Sequence, residues 1–120
     1  MGSRTVDVLA DVGHERVKQD AKWGRSDHAD GTHANYMSKA EELKSLATEQ
    51  AMQNNITWNT ILQEEVFEAL STGEPDILRA ELVQVAAVAV AWIEALDARQ
   101  AEYDELHPSV DEDLDPADGG

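Results

Sequence analysis

The sequence predicts an all-α protein: a four-helix bundle completed by homo-oligomerisation, followed by a disordered acidic C-terminal tail. Three observations carry that expectation. Val, Ile and Leu recur at helical spacings, and no alternating run bounded by turns marks a strand. The stretch Val85 to Ile93 is apolar on every side of a helix, the pattern of a helix covered all round. Acids crowd the C-terminus, with Glu102, Asp104, Glu105, Asp111, Glu112, Asp113, Asp115 and Asp118 and no Lys or Arg after Arg99, a composition that cannot bury enough apolar surface to fold.

The first helix is expected from about Val6 to Trp23, with Val6, Leu9, Val12 and Val17 spaced for one face and Gly24 ending it. A polar loop follows over Arg25 to Asn35. The second helix is expected to begin near Ser38, where Ser38-Lys39-Ala40-Glu41 fits a capping box, and to end around Asn54-Asn55. Thr57 is the N-cap expected for the third helix, with Ile56 and Ile61 spaced for a hydrophobic staple and Ser71-Thr72-Gly73 stopping it near Leu70. Pro75 suits a helical first turn, and the fourth helix is expected from about Asp76 past Leu96, as far as Asp104. The domain boundary therefore falls at 104, with residues 105–120 as the tail. Three shorter helices cannot easily surround the apolar sleeve of the fourth, so the bundle calls for a second copy of the chain, as a dimer or tetramer.

Length and charge narrow the function. With 120 residues there is room for one domain and one modest core, drawn from 42% apolar residues. Acids outnumber bases 25 to 9, for a formal charge of −16. Nucleic acid and anionic lipid both select basic surfaces, so neither is an expected partner. The chain has no cysteine, which excludes disulfides, zinc–thiolate sites and a cysteine nucleophile. No apolar run approaches the roughly 20 residues of a membrane span, and no signal peptide is visible from Met1 to Asp11. A cytoplasmic protein is the expectation.

The segment with chemical content is Glu64-Glu65-Val66-Phe67-Glu68, followed after a tight connection by Glu81-Leu82-Val83-Gln84. Glu65 and Glu68 are three apart and share a helix face, as do Glu81 and Gln84. A short loop makes their helices antiparallel neighbours, so the two polar pairs can meet across one seam. Three carboxylates gathered there repel unless protonated or neutralised by a cation. A cage of hard oxygen ligands suits Mg²⁺ or Mn²⁺.

Glu65-x-x-Glu68, twelve intervening residues and Glu81-x-x-Gln84 resemble the Glu-x-x-Glu…Glu-x-x-Asp signature of the all-α nucleoside triphosphate pyrophosphohydrolases, the MazG-like group. The surrounding Ile61 to Leu70 and Glu81 to Val88 are similar in texture. Gln19-Asp20-Ala21-Lys22-Trp23-Gly24 and His28-Ala29-Asp30-Gly31-Thr32 resemble the leader of a compact bacterial and phage branch. The likeness spans roughly Arg16 to Leu96. It implies a MazG-like helical bundle completed by dimerisation. It also implies Mg²⁺-dependent cleavage of a nucleotide between its α and β phosphates, giving monophosphate and pyrophosphate. Carried over by position, Glu65, Glu68 and Glu81 become metal ligands, and with Gln84 they form the catalytic set. Gln84 departs from the family's Asp: its amide oxygen can ligate a cation but brings no charge.

Phosphates also need cations. Lys22 and Arg25, flanking Trp23 beside a glycine-bearing loop, are the expected substrate-binding residues, with Trp23 available to stack a base. Lys18, Lys39, Lys44 and Arg79 are further cations. Trp58 and Trp92 fit the core, and His28 and His33 have no helical metal spacing. Two other readings fit the same residues. One is a catalytically weak or inactive MazG-like protein that binds nucleotides or a partner. The other is a helical dimerisation module with surface carboxylates.

Overall fold

The computed structural model of the chain describes residues 2–24 and 27–108. Among these residues every regular element is helical: α1 (Gly2–Trp23), a 3-10 turn (Ala34–Tyr36), α2 (Met37–Met52), α3 (Trp58–Leu70) and α4 (Pro75–Leu106). No helix among the described residues is long and apolar enough to cross a membrane.

Helix ends follow local chemistry. Gly24 closes α1 with φ +76°, its N–H donating a hydrogen bond to the Asp20 carbonyl at 2.8 Å, a left-handed stop that glycine adopts without penalty. The Thr57 side chain caps α3 by accepting from the Thr60 amide. Pro75 occupies the first turn of α4, where its missing N–H is not needed. The capping box expected at Ser38 does not form. The 3-10 turn runs directly into α2 with Tyr36 at its cap and no side-chain cap bond. The His33 ring instead accepts from the Asn35 amide at 2.9 Å, which starts the helical winding earlier. α2 also stops earlier than expected, at Met52, where Asn54 turns the chain at φ 62°, a conformation asparagine tolerates.

α3 lies between α2 and α4, packing on both, while α1 packs on α4 alone. The α2–α3 seam is built from Ala40, Leu43 and Ala47 of α2, with Thr60 and Ala69 buried on α3. The loop before α2 is fastened to the end of α3: the His33 amide donates to the Leu70 carbonyl at 2.9 Å, and the Tyr36 and Phe67 rings meet at 6.0 Å. The far end of the α3–α4 seam holds Trp58 against Trp92, nearly parallel at 6.3 Å. Both are half-buried rather than core residues.

Two expectations about apolar faces need correction. The stripe Val6, Leu9, Val12 and Val17 does not face the bundle, because α1 docks through Thr5 and Val8, with Val8 only 1% exposed and Val17 68% exposed. The sleeve Val85 to Ile93 is not enclosed within one chain: Val90 is buried, whereas Ala86 and Ala87 are exposed. α1 reaches only one side of α4 and leaves an apolar groove of about 330 Å³ between Leu9, Val83, Ala87 and Val90. The shape is correspondingly open. The chain measures 63 × 45 × 23 Å with a radius of gyration of 19.8 Å, against about 14 Å for a compact domain of this length. α4 runs on through Glu105 and Leu106, past the expected boundary at 104. The tail expected from 105 otherwise falls on 107–120, of which 109–120 lie outside the described residues.

A carboxylate cluster across the α3–α4 seam

Ser71 to Glu74 join α3 to α4 so tightly that the two helices fold back antiparallel and pack on each other. Glu65 and Glu68 project from one face of α3, and Glu81 meets them from the second turn of α4. One carboxylate oxygen from each lies within 4.8 Å of the others, and all three side chains are half-buried. The expected seam is therefore formed, and Glu65, Glu68 and Glu81 are brought together.

The electrostatics of the cluster are unfavourable without a cation. Loss of water around Glu65 raises its pKa above the ordinary 4.5, and the charges of Glu68, Glu64 and Glu81 raise it further. Glu68 is raised first by the same loss of water, then by Glu81 and Glu64, and by a side-chain hydrogen bond with Glu81; Lys44 acts in the opposite direction. Oε1 of Glu65 and Oε1 of Glu81 are both buried with no hydrogen-bond partner. Buried carboxylate oxygens are normally satisfied. Two orphaned oxygens converging with a third carboxylate make a donor set that could hold a divalent cation, and such hard oxygen ligands suit Mg²⁺ or Mn²⁺.

Glu64 is half-buried rather than turned to solvent, and its charge reaches both Glu65 and Glu68. Gln84, one turn beyond Glu81, is exposed, and its side chain makes no hydrogen bond among the described residues. The expected cations on α1 are not brought to the cluster. Trp23 is 72% exposed, with the Lys22 ammonium 4.9 Å from the centre of its ring, and α1 touches neither α2 nor α3. Arg25 lies outside the described residues. Of the further cations, Lys44 is the one whose charge acts on Glu68, although nothing in the spacing within α2 sets it apart from Lys39. Only the packing of α2 on α3 brings its charge to Glu68.

Compared with known proteins, the chain matches no family model, no curated protein and no solved structure.

Proposed function

We propose that Glu65, Glu68 and Glu81 hold Mg²⁺ or Mn²⁺ and that the protein is a metal-dependent nucleotide pyrophosphohydrolase. In this reading it cleaves a nucleoside triphosphate or related nucleotide to monophosphate and pyrophosphate. The observation that carries the reading is the convergence of three half-buried carboxylates, two with orphaned oxygens, across one helix seam. The resemblance of Glu65-x-x-Glu68 and Glu81-x-x-Gln84 to the MazG-like signature supports the reaction class. Bound there, the cation supplies charge neutralisation for the phosphates and acidifies water. Glu64, beside the cluster, is the carboxylate free to accept the proton that water gives up on adding across the phosphoanhydride.

A second reading is favoured by Gln84. An uncharged, exposed side chain stands where the family carries Asp, which fits a protein that binds nucleotide with little turnover. In both readings the open groove and extended shape support a homodimer, or a tetramer of two such dimers, in which a second copy covers the α1–α4 face.

Thermal melting with and without Mg²⁺ or Mn²⁺, joined to an assay of pyrophosphate release across a panel of triphosphates, tests these readings. Metal raises the melting temperature by linkage, and Glu65→Gln or Glu81→Gln abolishes that rise while leaving the helical content unchanged. Pyrophosphate release by the native chain selects the enzyme over the binding protein. A metal response that survives both substitutions places the site elsewhere.

A further inference from the structure

Two tryptophans stand on the same seam as the carboxylates. Trp58 precedes Glu65 by seven residues, and Trp92 follows Glu81 by eleven, each spacing close to a whole number of helical turns. Each indole therefore shares a helix face with a carboxylate of the cluster. Trp58 is about 10 Å from Glu65 along α3, and Trp92 is about 16 Å from Glu81 along α4. The two rings meet across the seam, 11° from parallel, with centroids 6.3 Å apart. One seam thus has a charged end and an aromatic end, separated by a distance comparable to an extended sugar–polyphosphate chain.

The aromatic end is open to solvent. Flat rings in full face contact approach to about 3.5–4 Å, so two near-parallel indoles with centroids at 6.3 Å cover little of each other. Both are half-buried, as are Leu62, Val85 and Val88 between them and the carboxylates. α1 does not pack on α3, and α2 does not pack on α4, so no third helix lies across this seam. The remaining tryptophan is poorly placed for the same ligand. Trp23 is on α1, and the Lys22 ammonium already stands over its ring at 4.9 Å.

We propose that the α3–α4 seam binds a nucleotide lengthwise, with its phosphates on the cation at Glu65, Glu68 and Glu81 and its base stacked on Trp58 and Trp92. The assignment rests on the reading of the carboxylate cluster as a cation site, and it moves the base from Trp23 to the far end of that seam. Stacking reads the flat face of a base rather than its edge, so it accepts every base.

Three titrations of the full chain test the assignment: Mn²⁺ alone, inorganic tripolyphosphate with Mn²⁺, and α,β-methylene-ATP with Mn²⁺. The native chain is expected to bind the nucleotide analogue about tenfold or more tightly than tripolyphosphate, the gain from one stacked base. Trp58→Leu and Trp92→Leu are expected to lose most of that gain while binding Mn²⁺ and tripolyphosphate as the native chain does. Trp58→Phe, which keeps an aromatic face, is expected to recover part of it, and Trp23→Leu to change nothing. A native chain that binds Mn²⁺ but holds the analogue no tighter than tripolyphosphate overturns the stacking assignment and leaves the cation site standing. Native preference for the analogue in both leucine variants does the same. Equal weakening of all three ligands in those variants makes the tryptophans structural and likewise overturns the assignment. A native chain that fails to bind Mn²⁺ overturns the cation site, and the lengthwise pose with it.

Discussion

Thr5 on α1 donates a hydrogen bond of 2.8 Å to Oε2 of Glu94 on α4, 89 residues later in the chain. Together with Val8, buried at 1% exposure, this bond is what fastens α1, since α1 packs against no other helix. Thr5→Val leaves a part-buried carboxylate without its donor and is expected to cost about 1–2 kcal/mol. Val8→Ala removes packed methyl groups and is expected to cost about 1–3 kcal/mol. Both should loosen α1 before the α2–α3–α4 layer, because local stability follows local burial. Hydrogen exchange resolved by segment checks this. Unchanged protection of α1 in both variants would show that α1 is held by contacts other than these.

The raised carboxyls of Glu65 and Glu68 set a pH dependence of opposite sign to the usual acidic one. Their folded pKa values lie above the ordinary 4.5, through burial first and neighbouring carboxylates second. Between 4.5 and the raised values the folded chain therefore binds more protons than the unfolded one, and stability falls as pH rises through that window. Without metal, this cluster favours the fold at pH near 4.5 and opposes it at neutral pH. Glu65→Gln is expected to flatten the slope, and Mg²⁺ to remove most of it by taking the protons' place. Urea melts across pH 4.5–8, with and without Mg²⁺, provide the measurement. A metal-free native chain that gains stability throughout that range contradicts the assigned sign.

Much of this architecture was legible before any coordinates, and the reasons are local. Thr57, Ser71, Pro75 and Gly24 each impose one chemically defined end on a helix, so the boundaries around them came out as expected. The tight turn between α3 and α4 made the meeting of Glu65, Glu68 and Glu81 foreseeable, because spacing along two antiparallel helices fixes which faces meet. What remained hidden depends on packing. Val6 and Val8 are similar residues two apart, and the choice of Val8 as the buried one is made by Thr5 reaching Glu94, a contact no periodicity encodes. The capping box at Ser38 lost to a 3-10 turn that begins at Ala34, held by the loop's bond to Leu70. The charge of Lys44 acts on Glu68 from α2, which packs on α3, whereas Lys22 and Trp23 belong to a helix that packs on neither α2 nor α3.

The open side of α4 yields a prediction about assembly. Val83 is 54% exposed and lines the apolar groove with Leu9 and Ala87, on a chain far more extended than a compact domain. A second copy seated there is expected to make the native chain a homodimer at micromolar concentration. Val83→Asp places an unpaired charge in that interface, which is expected to weaken association by several kcal/mol, on the order of a hundredfold or more. Because the residue is exposed in the single chain, the helical content of the variant should not change. Sedimentation of both proteins over a dilution series decides the matter. A native chain that stays monomeric at the highest concentration, with no change on substitution, removes the groove as an interface.

The last prediction concerns Gln84, where this sequence departs from the signature it resembles. Two roles are open to it. It can be a neutral ligand that leaves the site short of one charge, or its amide can orient Glu81 or a phosphate oxygen. Gln84 is exposed and makes no hydrogen bond to Glu81 among the described residues, which favours the first. Gln84→Asp would then add a fourth carboxylate within one turn of Glu81. Coulomb attraction should tighten Mg²⁺ by about 1–2 kcal/mol, the scale of a charge-assisted contact, and raise turnover where Mg²⁺ is scarce. The same change should lower metal-free stability at neutral pH, because four acids then repel across one seam. An orienting amide predicts the reverse for turnover, a loss that saturating Mg²⁺ does not restore, since Asp cannot donate the bond. Turnover over a Mg²⁺ series therefore separates the two. A gain confined to low Mg²⁺ establishes the missing charge as the limiting feature, and a loss at every concentration assigns Gln84 a positive role in binding.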